Sequence, residues 1–185
     1  MIKLRRFYEP DALRQMYAHQ YSVLKWTEHQ ARVARTLDLA RPLIAEQQLE
    51  TLADLSCGDR SIANGLSDLI VAKHLNDITT GVPIDVALTS VDAVDLFICT
   101  ETIEHLEAPW TTLEAIALKT KWLLLSTPLD EPAATPNWEH YWSFSANDVG
   151  SMLTQAGFDR LRCVAFTEPD WEYVYQVWVG RSVYV

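Results

Sequence analysis

VDLFICTETIEHL, residues 94–106, is the stretch on which the reading of this chain turns. Its first part, VDLFICTE (94–101), is an apolar run rich in strand-forming residues, which suits a strand buried on both faces. Such a strand belongs in a mostly parallel sheet with helices above and below. The run ends on Thr100 and Glu101 and leads directly to Glu104 and His105. In an open α/β sheet ligands bind outside the carboxyl ends of the strands, so chemistry is expected at this end.

Toward the C-terminus, EAPWTTLEAIALKT (107–120) predicts a helix with Pro109 near its first turn and Thr111 or Thr112 beside the cap. WLLLSTP (122–128) predicts another buried strand, ended by Pro128. SANDVGSMLTQAG (145–157) predicts a helix capped by Ser145 and stopped by Gly157. FDRLRCVAF (158–166) and WEYVYQVWVG (171–180) alternate as two closing antiparallel strands. Toward the N-terminus, TLADLS (51–56) and VAKHLND (71–77) read as strands, separated by the turn CGDRS and the helical IANGLSDL. Residues 9–47 read as helices, DALRQMYAHQY and WTEHQARVARTLDLARPLI, with Asp11 or Thr27 as caps. One domain over 1–185 is expected, with a helical cap over 1–48 and the α/β core over 49–185.

The bulk numbers narrow the function classes. Hydrophobic residues at 49% and charged residues at 22% fit an ordinary globular balance, and no apolar run approaches the ~20 residues needed to span a bilayer. The basic start MIKLRRFYEPDALRQ lacks an apolar core, so no secretory leader is expected. Cys57, Cys99 and Cys163 are scattered and predict reduced thiols in a cytoplasmic protein. A net charge of −10 argues against a nucleic-acid binder, although Lys3, Arg5, Arg6, Arg14, Lys25, Arg32, Arg35 and Arg41 cluster early. That cluster reads as a solvated helical face.

DLSCGDRS (54–61) lies between a strand and a helix, where a glycine lets backbone approach a ligand and a carboxylate can meet a charged amine. Taken with VDLFICTETIEHL, WLLLSTP and HYWSFSANDVGSMLTQAGF in the same order, it resembles the class I S-adenosylmethionine (SAM)-dependent methyltransferases over roughly residues 50–180. The resemblance implies a Rossmann-like α/β fold, mostly parallel with an antiparallel last strand. It implies that Asp54, Ser56, Cys57 and Gly58 face the methionine part of SAM, that Thr100 and Glu101 line the cofactor and reaction site, and that Pro128 lies near the substrate. Ser56 and Arg60 stand where the family's motif has its first and third glycines. The region between Asp77 and Asp95 is too short for the usual strand, helix and strand. Asp77 is then either the second-strand acid for the ribose hydroxyls or part of a third-strand loop beside adenine.

Glu101, Glu104 and His105 form E-x-x-E-H, and on a helical turn positions i, i+3 and i+4 share a face. With His140 they make two carboxylates and two imidazoles, a donor set for a divalent metal such as Mg²⁺ or Mn²⁺. This pattern resembles the O-methyltransferases of ubiquinone biosynthesis and the small-RNA 2′-O-methyltransferases. Glu101, His105 and His140 are also the candidates for acid–base catalysis. For His105 the alternative is local packing or hydrogen bonding, for Glu104 an ordinary helical position, and for His140 a substrate-pocket or general-base role in place of a ligand's. Trp138, Tyr141, Trp142 and Phe144, with Tyr17, Tyr21 and Trp26, are expected to close a pocket; Trp110, Trp122 and Trp178 read as core. The function expected is O-methylation of a small-molecule acceptor. RNA ribose 2′-O-methylation and a methyltransferase-like binding module without catalysis are the alternatives.

Overall fold

The computed structural model describes residues 1–9, 12, 16, 27–168, 171 and 173–185. The helix expected over 11–21, its cap Asp11, and Arg14, Tyr17, Tyr21, Lys25 and Trp26 lie outside the described residues or depend on ones that do. The chain divides into two compact units, Tyr8–Ile98 and Met1–Phe7 with Cys99–Val185.

In the first unit, helix α1 (Thr27–Gln47) buries Thr36, Ala40 and Ile44, a stripe at four-residue spacing on one face. Strands β2 (Thr51–Asp54) and β3 (Ala72–Leu75) run parallel, and β2 also pairs in parallel with β4 (Val94–Thr100). Leu52, Ala53, Leu96, Phe97 and Ile98 are fully buried, as expected of strands covered on both faces. Asp95 Oδ2 accepts from the N–H groups of Glu50 and Thr51 and from the Thr51 hydroxyl, which fixes the start of β2. Helix α2 is shorter than the sequence suggests, Ser61–Gly65. The segment from Asp77 holds a 3₁₀ turn (Ile78–Thr80) and helix α3 (Ile84–Thr89). One short helix therefore links β3 to β4, and β3 pairs directly with β2. Asp77 follows β3 by two residues, at the start of the 3₁₀ turn.

In the second unit, the last residues of β4 lead into a 3₁₀ turn (Ile103–His105), helix α4 (Pro109–Ala117) and strand β5 (Thr120–Leu129). Pro109 opens α4, where a missing N–H is harmless. Helix α5 (Ala146–Ala156) begins with a capping box between Ser145 and Asp148 and ends at Gly157, whose φ of 93° is left-handed. Strand β8 (Val174–Ser182) lies between β5 and β7 (Phe158–Phe166) and runs antiparallel to both. Pro128 sits inside β5, opposite Tyr175, rather than after it. The sequence reading missed a two-stranded ribbon, β1 (Ile2–Lys3) with β6 (Trp142–Ser143). Parallel strands joined through helices, closed by an antiparallel last strand, make a Rossmann-like α/β fold.

Candidate active site

Asp54 ends β2 and is 2% exposed. Its Oδ1 accepts from Ser56 N–H at 3.3 Å. The turn that follows is held by Cys57 N–H on Asn76 O (3.0 Å) and Gly58 N–H on Asp77 Oδ2 (2.9 Å). Gly58 has φ 47°, and nothing lies within 4 Å of the place a Cβ would take. Ser56 is not among the residues with positive φ, so serine replaces the motif's first glycine without strain. Arg60 differs: it adopts φ 64° at the start of α2, a glycine-like conformation held by a residue that pays a steric penalty there. Asp59 accepts from the N–H and hydroxyl of Ser61 and pairs with His29 Nε2 at 3.2 Å, which ties α1 to the turn. Asp77 caps the 3₁₀ turn through Thr79 N–H (3.0 Å).

Burial pushes the Asp54 carboxyl up to about 7, against its Ser56 hydrogen bond and with the negative charges of Asp77 and Asp59 adding to it. Burial, with Asp54 and Asp77 nearby, pushes the Cys57 thiol up to about 11, so it is no nucleophile at neutral pH. The loop is an anionic cradle whose buried carboxylate is stabilised in its charged form by any cationic ligand.

The second unit holds the other candidates. Thr100 ends β4, and its carbonyl accepts from the Thr102 hydroxyl (2.9 Å). Glu101 has φ 49°; its N–H donates to Ser126 O (2.9 Å), and its Oε1 accepts from the Ser126 hydroxyl (2.6 Å). Glu104 is 1% exposed. Its Oε2 accepts from Thr127 Oγ1 (3.0 Å), while Oε1 is buried without a hydrogen-bond partner among the described residues. His105 Nδ1 meets Glu139 O at 3.2 Å. A carbonyl only accepts, so Nδ1 carries the proton and Nε2 is the nitrogen turned toward Glu104 Oε1, 3.8 Å away. His140 Nδ1 meets Glu131 Oε2 at 2.5 Å, and the other Glu131 oxygen accepts from Asn137 N–H (2.5 Å). The two imidazole rings stand edge to face, 4.8 Å apart.

Glu104, His105 and His140 each offer a donor atom, and these lie within 4.8 Å of one another. Glu101 is not among them. The expected i, i+3, i+4 convergence fails because the turn is 3₁₀ and begins after a left-handed residue, which aims Glu101 at Ser126 instead. Sequence reasoning missed Glu131; its only signal was an acid placed shortly after a buried strand. Burial raises Glu104 well above the usual carboxylate range and the Glu101 charge adds to it, against His140, its backbone bond and Thr127. Burial would lower His140, but the Glu131 hydrogen bond and the charges of Glu104, Glu131 and Glu101 outweigh it and raise its pKa.

Of the aromatics expected to close a pocket, Tyr17, Tyr21 and Trp26 lie outside the described residues. Tyr141 and Phe144 are core residues, and Trp142 is buried against Phe7 and Trp110 with its Nε1–H on Leu106 O (2.8 Å). All three lie in or beside β6 and are buried, while Trp138 is half exposed. Trp171 packs on Phe166 and Tyr175.

No family model matches the sequence, and no curated protein matches it. Solved structures do match. The chain is similar to the N-methyltransferase NodS from Bradyrhizobium japonicum WM9 in complex with S-adenosyl-L-homocysteine (SAH), with TM-score 0.73, 13% identity, and coverage of 94% of this chain and 97% of that one. This chain has the class I methyltransferase fold. A second match is the 1,6-didemethyltoxoflavin-N1-methyltransferase of Burkholderia thailandensis, with TM-score 0.69, 16% identity and coverage of 96% and 92%. A third is the magnesium protoporphyrin IX methyltransferase ChlM of Synechocystis PCC 6803, with TM-score 0.65, 14% identity and coverage of 93% and 94%. Among the described residues no helix is long and apolar enough to cross a membrane.

Proposed function

We propose that the 185 residues act together as a SAM-dependent methyltransferase that methylates a hydroxyl oxygen of a small molecule. The observation that carries this reading is the pair His140–Glu131 beside Glu104, whose buried Oε1 has no hydrogen-bond partner among the described residues, in a chain with this fold. The fold's solved neighbours hold SAH, and the Asp54 cradle suits a ligand bearing an ammonium and a sulfonium. In this reading Asp54, Ser56, Cys57, Gly58 and Asp77 of the first unit bind the donor.

His140 Nε2 takes the acceptor's hydroxyl proton, while Glu131 holds Nδ1–H and so fixes the tautomer. The acceptor oxygen forms a bond to the methyl carbon as the carbon–sulfur bond breaks. Its electron pair stays on sulfur, SAH leaves neutral at sulfur, and the proton remains on the imidazolium. Positioning of the acceptor in line with the sulfonium supplies much of the rate.

A divalent ion fits the same cluster. Two imidazoles and a buried carboxylate oxygen without a partner are a donor set that favours Mn²⁺ over the harder Mg²⁺. Glu104, His105 and His140 would hold it, and it would lower the pKa of a bound hydroxyl. With a net charge of −10 and neighbours that act on small molecules, RNA is the less favoured acceptor. The three cysteines are free thiols, which suits the cytoplasm.

Calorimetry with SAM and SAH tests the reading. Binding at micromolar concentration is expected, and no binding of either at millimolar concentration would leave a methyltransferase-like module without catalysis. Labelled methyl transfer to a panel of phenols, with elemental analysis of wild type and Glu104→Ala, then separates the base from the metal.

A further inference from the structure

Residues 131–143 leave β5, carry Glu131 and His140, and enter β6. This segment is gripped from two sides within its own unit. From one side the turn after β4 holds it: Tyr141 N–H donates to Glu104 O (2.7 Å), and His105 Nδ1 donates to Glu139 O. From the other side the N-terminal residues hold it. Ile2 and Lys3 pair with Ser143 and Trp142, Leu4 N–H donates to Tyr141 O (2.8 Å), and Phe7 meets the Tyr141 ring edge-on at 4.9 Å. Lys3 Nζ stands 3.6 Å over the Phe7 ring.

Arg5 is the centre of this grip. Its Nε donates to His140 O (3.0 Å), Nη1 to Trp138 O (2.7 Å) and Nη2 to Asn137 O (2.6 Å). Each nitrogen of one planar guanidinium thus donates to a backbone carbonyl of the segment that presents His140. Asn137 is also the residue whose N–H fixes Glu131. A guanidinium is the side chain that can do this, because its donors lie in one rigid plane and point in different directions. A lysine ammonium is a point charge on a flexible stem and does not span three carbonyls.

We propose that Arg5 is a positioning residue for the His140–Glu131 pair: its guanidinium locks the backbone of 137–140, so that Glu131 holds one His140 tautomer and Nε2 faces Glu104 and His105. The proposal rests on the reading of His140 as the acceptor's base. It makes Met1–Phe7 a working part of the second unit, whereas the sequence placed these residues in a helical cap.

The test is nitrogen NMR of the full chain labelled at its imidazoles, at a pH where the His140 ring is neutral, with His140→Ala to assign the signal. Wild type should show a single Nδ1–H tautomer. Arg5→Ala should show a mixture of tautomers, and methylguanidinium added to that variant should shift it back. Arg5→Lys keeps the charge, is expected to fold if the alanine variant does not, and should also show the mixture. A His140 signal unchanged from wild type in a folded variant overturns the proposal. SAH titrations run alongside keep the two readings apart. Wild type that fails to bind SAH removes the methyltransferase function, while a tautomer shift in the variants would still establish Arg5 as the group that positions His140.

Discussion

Asp54 and Glu104 are both buried carboxylates near the carboxyl ends of parallel strands, and burial raises the pKa of each. They are built in opposite ways. Asp54 sits in a turn whose partners come mostly from residues 54–61, with one loop, Asn76–Asp77, added. The charges that act on it most, Asp77 and Asp59, are themselves acidic and raise its pKa further, so a cationic ligand would relieve it. Glu104 is met by groups from separated parts of the sequence, His105 next to it and His140 with Glu131 beyond β5. Its cluster holds two imidazoles, groups that move protons near neutral pH. Under the function proposed above, the contrast makes one carboxylate the receptor for the donor's cation and the other a neighbour of the proton-transfer pair, although each lies buried just past a strand.

Substitutions should split the two. His140→Ala is expected to have the largest effect, a loss of turnover of about 10²–10⁴-fold, the usual contribution of a general base. SAH affinity measured by calorimetry should stay within twofold; a matching loss of SAH affinity would erase the distinction. Asp54→Asn should do the reverse and weaken SAM binding about 10–100-fold, as for a lost charge-assisted hydrogen bond of about 1.5–3 kcal/mol.

The pH dependence of stability sharpens the comparison further. Asp54 has a folded pKa of about 7 against a usual 3.8, so between those values the folded chain holds a proton that the unfolded chain releases. Stability conferred by the proton is therefore lost as pH rises from about 4 to about 7. Asp54→Asn should remove part of that slope and raise stability at pH 8 by about 1–3 kcal/mol, read from denaturant midpoints at several pH values. A variant less stable than wild type at pH 8 would mean that the carboxylate is not under strain in the free protein. Gly58→Ala comes next. The Cβ has open space, so its stability cost should be the left-handed backbone alone, about 1–2 kcal/mol. An additional loss of SAM affinity would place the cofactor against this backbone. Ser145→Ala, far from both carboxylates in sequence, should cost about 1 kcal/mol through the lost capping box and leave SAM binding untouched.

Much of this was legible in the residues. The buried runs 94–100 and 122–128, the Ser145 cap, the Gly157 stop and the Asp54 turn each depend on neighbours close in sequence, and local chemistry specifies them. The short helix Ile84–Thr89 was not legible, because six residues carry too little periodicity to stand out from a loop. Ser56 and Arg60 look alike as departures from the motif, yet only Arg60 needs a positive φ, which is a backbone property that residue type alone does not reveal.

What the sequence by itself determined was therefore the set of strands and capped helices and the anionic turn that follows β2, since these follow from burial patterns and contacts a few residues apart. Which residues gather around Glu104 depends instead on contacts between distant parts of the chain. A 3₁₀ turn took Glu101 out of that cluster, the segment after β5 brought His140 and Glu131 in, and Arg5 held that segment from 132 residues away or more. Those contacts join parts of the chain far apart in sequence, which no local periodicity connects.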